Sequence, residues 1–326
     1  MTSKQARLEK TLLGEATDRT PVALWRYFPG DDLRAADFAR AIQAYQQQYD
    51  WDFINLTPAP TVSVAGFGVQ TEWQGHPSGR REIIRHMITR SLHWTDLRPI
   101  DPLRGETGKM LETLQLITTD DTPVIATVYS PLTQAAMLAG HDLMLRHMRT
   151  EEDRFRTGMN AITENTMRLI DSLRRVGIVG IYYVMSEADF VTMSEAEYQA
   201  FGVPYDRKVL ESCPDRWWLN ILHVGRLAPM FDLAITYPLP VIHWDTCAKN
   251  PDLTTARAKF SGAFCLGVEA EAHLNLGTPT VIKTIARQIQ QEFAHRRLIL
   301  GANDVVPVTA PWSNLWAVRE AVEVMS

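Results

Sequence analysis

Residues 217–223, WWLNILH, form a run of aromatic and branched apolar side chains that stops on a histidine, two residues before Gly225. Such a run is too short for a self-burying helix, and its near-continuous apolar character fits a strand covered on both faces. Seven more runs of this kind occur: PVALWR (21–26), WDFINL (51–56), TPVIATVY (122–129), GIVGIYYV (177–184), LPVIHWD (239–245), GAFCLGV (262–268) and RLILGA (297–302). Segments of helical period lie between them at 34–49, 152–175, 195–212, 252–259 and 279–294, the last with Pro279 in its first turn after Gly277. Buried strands alternating with helices predict a parallel α/β sheet, and eight such units in 326 residues favour a closed (β/α)8 TIM barrel over an open doubly wound sheet. The stretch 60–98 interrupts the rhythm: period-2 alternation on both sides of a PSG turn predicts a β-hairpin inserted after the second strand. No linker, internal repeat or low-complexity segment divides the chain, which predicts one domain over 1–326.

Composition narrows the function classes. The chain is 45% hydrophobic and 22% charged, with 38 acidic against 33 basic residues and a formal charge of −5, values of an ordinary globular protein with a large core. The charges are interspersed, so no basic stripe is offered to phosphates and nucleic acid is not an expected partner. Cys213, Cys247 and Cys265 are too few and too scattered for a disulfide framework or a Cys-x-x-Cys zinc site, which suits a reducing compartment. The charged first twenty residues lack the apolar core of a signal peptide, and no 18-residue apolar run exists, so a cytoplasmic protein without a membrane segment is expected.

In a barrel of this kind the strands' carboxyl ends gather the reactive groups. The residues to inspect are therefore Arg26 and Tyr27 after the first run, Asn55 and Thr57 after the second, and Tyr129, Ser130 and Gln134 after the third. Ser186, Glu187 and Asp189 follow the fourth, His223 and Arg226 the fifth, His243 and Asp245 the sixth, Glu269 the seventh, and Asn303 and Asp304 the eighth. A polar residue at a strand end also serves as a helix cap or loop anchor, so the cluster carries more weight than any member. His223 could be a metal ligand, a proton carrier or a satisfied core residue; Gly225 lets the backbone turn sharply after it. His243 and Asp245 share a face of their strand, with Trp244 opposed. A zinc site would need a third ligand beside His223 and Asp304, from Cys247, Cys265 or His243, and no short ligand spacing supports one. Dinucleotide, phosphate-loop and serine-hydrolase motifs do not occur.

The order of segments resembles the uroporphyrinogen decarboxylase superfamily over nearly the whole chain. The stretches that carry the likeness are TPVALWRYFPGDD, VYSPLTQAAMLAG, SEADFVTMSEAEYQAFGVPYDRKVLE, NILHVGRLAPMFD and ILGANDVVPVTAPWSNLWAVREAVE. The resemblance implies a (β/α)8 barrel, often paired as a homodimer, and either decarboxylase chemistry or zinc-dependent methyl transfer with a corrinoid protein. Two departures bear on this choice. Where the decarboxylase carries an Arg-Gln-Ala-Gly-Arg segment to hold carboxylates, this chain reads Trp25-Arg26-Tyr27-Phe28-Pro29, and Asn55 stands at the place of its catalytic aspartate. Asp31, Asp32, Glu187 and Asp189 at the entrance also oppose a polycarboxylate substrate. Where the methyltransferases carry a His-x-Cys-Gly motif and a later Cys, this chain keeps His223 but has Gly225 and then Asn303 or Asp304.

The leading expectation is thus a lyase acting on a small carboxylated substrate, without a required cofactor. His223 or Asp304 would be the general acid, Arg26 would hold a carboxylate, and Tyr129 or Tyr183 would orient the substrate. Tyr27, Asn55, Ser130, Gln134, Ser186, Glu187, Arg226, His243, Asp245 and Asn303 are the expected substrate contacts. The alternatives are a methyltransferase, with zinc at His223 and Asp304 and a corrinoid protein as partner, and a non-catalytic ligand-binding descendant.

Overall fold

The computed structural model describes residues 2–119, 121–247 and 251–323. Among the described residues nine strands form in chain order: β1 (Ile54–Leu56), β2 (Gln70–Glu72), β3 (Glu82–Arg85), β4 (Val124–Tyr129), β5 (Gly180–Met185), β6 (Ile221–Val224), β7 (Val241–His243), β8 (Ala263–Val268) and β9 (Leu298–Ala302). Seven of them make one sheet in the order β1-β4-β5-β6-β7-β8-β9, parallel throughout. The sheet is curled in the manner of a TIM barrel.

The run 21–26 does not become a regular eighth strand. Val22 makes an isolated parallel bridge to Leu300, with Ala23 N donating to Leu300 O at 3.0 Å, while Val22 O accepts from Asp52 N at 2.8 Å. The run therefore spans both edges of the curled sheet by a few bonds. Its ladder fails for two local reasons. Pro21 has no N–H to give, and the Val22 N–H is taken by the Asp52 carboxylate at 2.7 Å.

Alternation along the strands divides the apolar residues into two packed sets. Ile125, Tyr129, Tyr182, Val184, Ile221, Val241, Cys265 and Ile299 face inward together with Val22 and Trp25. Val124, Ala126, Val128, Tyr183, Leu222, Ile242, Trp244 and Phe264 face the surrounding helices. Burial on both faces is what a parallel sheet requires of its sequence.

The expected helix at 195–212 is two, Glu195–Phe201 and Val203–Glu211; Pro204 can neither donate into the preceding turn nor follow it without a clash. In the 60–98 stretch only β2 and β3 pair, antiparallel and with an irregular register. Most of the remainder up to Phe67 is 3-10 turn. No described helix is long and apolar enough to cross a membrane.

Candidate active site

All strands of the main sheet point the same way, so their carboxyl ends converge on one hollow of about 620 Å3. Its wall includes Tyr27, Thr57, Tyr129, Ser186, Glu187, His223, Arg226, Asp245, Asn303 and Asp304 from the strand-end candidates. Another hollow, of about 680 Å3, lies on the outer wall beside helix Gly105–Leu116 and holds none of them.

Several candidates stand elsewhere. Tyr183 was expected to orient substrate, but the strand parity that brings Tyr182 inward sends it outward, where its hydroxyl donates to buried Asp206 at 2.7 Å. Arg26 was expected to hold a carboxylate; its guanidinium instead lies over the Phe28 ring at 5.2 Å and borders a separate small void with Tyr45 and Trp51. Asn55 is buried behind Thr127, whose hydroxyl donates to Asn55 Oδ1 at 3.0 Å. Ser130 caps helix Pro131–Ala139 by accepting from Thr133 N. Gln134 Nε2 donates to Tyr129 O and to Thr166 Oγ1, both at 2.8 Å. Ser130 and Gln134 thus serve the backbone and Asn55 a neighbouring hydroxyl, and none of the three stands on the cavity wall. Asp189 likewise ties down the loop after β6, and Asp32 pairs with Arg81.

Residues that strand-end reasoning passed over complete the wall: Trp25, Thr127 and Tyr182 from the runs themselves, Arg80, Arg81 and His86 from the β2–β3 region, and His141. Alternation could have found Tyr182, which lies two residues before the inward-facing Val184 and so shares its face of the strand. The β2–β3 contribution depends on how a loop folds over the sheet and left no local signal.

At the centre of the site two histidines and a tyrosine meet. His243 Nε2 lies 2.8 Å from Ala302 O. A carbonyl only accepts, so that nitrogen carries the proton. Burial lowers the His243 pKa to about 4, so at neutral pH the ring is uncharged and its Nδ1 is an acceptor. His223 Nδ1 stands 2.7 Å from that atom, and Tyr182 Oη 2.9 Å from it. The proton between the two rings therefore belongs to His223 Nδ1, and the His223 lone pair is on Nε2, at the cavity. Burial first, then the neighbouring His243 and Arg226, hold the His223 pKa well below its ordinary value. His243 is fully buried and is a support for His223, behind the cavity wall.

The other ionisable groups are also displaced. Surrounding protein and the nearby Asp245 raise the Asp304 carboxyl above the usual range, although Val305 N donates to it at 2.7 Å. Tyr27, Tyr129 and Tyr182 are all raised by burial, with Asp304 adding to each, and remain protonated donors. Asp245 accepts from Asn303 Nδ2 and from Cys247 N, both at 2.9 Å.

Zinc does not fit this donor set. Among the described residues no group of three or more His, Cys, Asp or Glu side chains is gathered to hold a metal. Gly225 stands where the thiolate of the methyltransferase motif is expected, and its φ is +60°. A Cβ there would lie 2.6 Å from both Cα and Cβ of Pro229, so no cysteine could take the position without moving the loop. Cys265 is buried in the sheet, and Cys247 is exposed beside Asp245 and Glu269, burial and those carboxylates pushing its thiol up to about 11. Thiolate character is thereby suppressed at both.

Comparison with known proteins agrees with this architecture. A methyltransferase from Methanosarcina mazei superposes with a TM-score of 0.86 at 17% identity, covering 98% of each chain. A B12-independent methionine synthase from a Shewanella species, solved in complex with selenomethionine, gives 0.56 at 11% identity over 92% of each chain. No curated protein matches the sequence. The family model described as uroporphyrinogen decarboxylase (URO-D) matches residues 3–325, and the chain belongs to the uroporphyrinogen decarboxylase family.

Proposed function

We propose that this protein transfers a methyl group between a small methylated donor and a thiol or a corrinoid protein. The observation that carries this reading is the histidine pair, in which His243 Nε2 at 2.8 Å from Ala302 O and His223 Nδ1 at 2.7 Å from His243 Nδ1 leave the lone pair of His223 on Nε2, toward the cavity. Decarboxylation would need a proton donor for the developing carbanion and a cation for the carboxylate. His223 offers a lone pair, Arg26 lies outside the cavity, and the arginines on the cavity wall, Arg80, Arg81 and Arg226, already face Glu82, Asp32 and Glu187.

In transfer to a thiol, the S–H proton passes to His223 Nε2 as the sulfur–carbon bond forms. The bond from the methyl carbon to the donor atom breaks, and its electron pair stays on the donor. A weakly basic imidazole suits this timing, because sulfur becomes strongly acidic only once it is bonding to carbon. The protonated hydroxyls of Tyr27 and Tyr129 orient the bound molecules. The likeness in fold to a methyltransferase and a methionine synthase supports the reading.

The test incubates the full chain with methylcobalamin and 2-mercaptoethanol and measures the methyl thioether by mass spectrometry. Thioether formed faster than in the protein-free control, and lost in His223→Gln, is the expected result. Decarboxylase chemistry is the second reading, favoured by the raised Asp304 carboxyl, which could donate a proton. Release of CO2 from a carboxylated compound without any methyl transfer would establish it in place of the first. Binding of a ligand with neither reaction would point to a non-catalytic member.

A further inference from the structure

We infer that the methyl donor is a methylated ammonium compound, its cationic nitrogen held between the carboxylates of Asp245 and Asp304 and the rings of Trp25, Tyr27, Tyr129 and Tyr182. This assignment rests on the methyl-transfer reading for its chemistry, though not for the binding it describes. The argument begins with which charges at the cavity are already satisfied. Arg81 pairs with Asp32, Arg80 with Glu82 at 3.5 Å, and Arg226 lies 4.0 Å from Glu187. His141 Nδ1 is 2.9 Å from the other oxygen of Glu187, and His86 Nδ1 is 2.9 Å from Met137 O.

Asp245 and Asp304 have no such partner: among the described residues, none of the ion pairs within 4.0 Å involves either carboxylate. Their hydrogen bonds come from Cys247 N, Asn303 Nδ2 and Val305 N, none of which carries charge. Glu187, shared between His141 and Arg226, keeps one oxygen without a hydrogen bond. Its side chain is only 1% exposed and its Oε1 accepts no hydrogen bond, yet it stands on the cavity wall. The described cations of the cavity wall thus already face Asp32, Glu82 or Glu187, whereas Asp245 and Asp304 form no ion pair within 4.0 Å and feel Arg226 and Arg80 only from farther away, so a bound cation gains most beside these two carboxylates.

The rings select among cations. Trp25, Tyr129 and Tyr182 are each buried to within a few per cent, and with Tyr27 they line the same cavity. Aromatic rings beside a carboxylate recognise a diffuse, weakly hydrated methylammonium better than a compact, strongly hydrated cation. The chemistry closes without a general acid. A thiol takes the methyl group from the ammonium nitrogen, the C–N pair stays on nitrogen, and a neutral amine leaves while the thiol proton goes to His223 Nε2.

The test titrates the full chain with choline and with its neutral isostere 3,3-dimethylbutan-1-ol by isothermal calorimetry. Choline should bind at least about tenfold more tightly. That gap should narrow in Asp304→Asn, a change at an exposed position, and in Tyr27→Leu. Equal affinities, or no binding of choline up to millimolar concentration, would overturn the assignment. Preferential choline binding with no thioether formed in the transfer assay would sink methyl transfer and leave the cation site standing. Thioether formed from a neutral donor without charge preference would do the reverse.

Discussion

At the amino ends of the strands Asp52 is fully buried and fully paired: Arg7 Nη1 lies 2.6 Å and Arg19 Nη1 2.7 Å from its oxygens, and Val22 N donates to it at 2.7 Å. At the carboxyl ends Asp245 and Asp304 open into the cavity and, among the described residues, make no ion pair within 4.0 Å, although Arg226 and Arg80 act on Asp304 from farther away. Residues of one sheet thus follow two rules. The closed end turns charge into bonds that hold the run 21–26 across the two sheet edges. The open end leaves charge unspent for a ligand, which costs stability and supplies recognition.

The comparison breaks first at Asp52. Asp52→Ala would leave two arginines facing a buried site with no anion and strip Val22 N of its acceptor. The expected loss is about 3–5 kcal/mol in urea unfolding. A loss no larger than that of Asp304→Ala, which should change stability by less than about 0.5 kcal/mol, would mean that the two ends do not differ in the way described.

Asp206 sharpens the comparison, because it is buried like Asp52 but has no cation. Hydroxyls of Tyr183, Tyr198 and Tyr237 donate to it at 2.7, 2.8 and 3.1 Å. Burial outweighs these bonds and raises its carboxyl to about 6 from 3.8. The folded state therefore holds the proton to higher pH than the unfolded chain does. The associated stability is complete below pH 4 and is lost as pH rises through 6, a fall of roughly 3 kcal/mol. Asp206→Asn, neutral at every pH, should abolish this slope between pH 4 and 7 in thermal unfolding; an unchanged slope would assign it to other groups.

At the open end the expected effect is on rate. His223→Gln should lower methyl transfer about a hundredfold and change the urea midpoint little, since the ring is half-buried at the cavity. His243→Phe tests the tautomer: without the Nδ1 acceptor the His223 proton is free to move to Nε2. Nitrogen NMR of the His223 ring should then show Nε2–H in place of Nδ1–H.

The contrast also separates what the sequence could and could not disclose. Eight apolar runs were legible because burial on both faces leaves few polar positions inside a parallel strand. The site residues were half legible. His223, Asp245 and Asp304 are found by counting to the ends of runs, since a strand's end is set by its own composition. Tyr183 and Arg26 failed because the choice of face depends on parity from a strand start that composition blurs. Arg80, Arg81 and His86 were passed over because they reach the cavity through a loop whose path is fixed only by contacts distant in sequence. The proton on His223 Nδ1 could not be read at all: it depends on Ala302 O, which belongs to another strand.

The smallest expected effect concerns how the two rules meet in one residue. Asp189 is buried near the open end, yet it is satisfied like Asp52, by backbone instead of by arginine. One carboxylate oxygen accepts from Arg226 N at 2.7 Å, Leu227 N at 2.7 Å and Ala228 N at 3.0 Å, and the other from Val191 N at 2.8 Å. These bonds lower its carboxyl below the ordinary range against the opposing effect of burial. The folded state therefore prefers the ionised form, and the stability it gives is present above the unfolded pKa and is lost as pH falls through the folded one. Asp189→Asn keeps the shape but offers one oxygen to donors that now use two, at a cost of about 1–2 kcal/mol. Because the loop it holds begins at Gly225 and carries Arg226, the variant should also raise KM more than it lowers kcat, loosening the rim while His223 stays anchored to His243. A fall confined to kcat would place Asp189 with the histidines instead of with the loop.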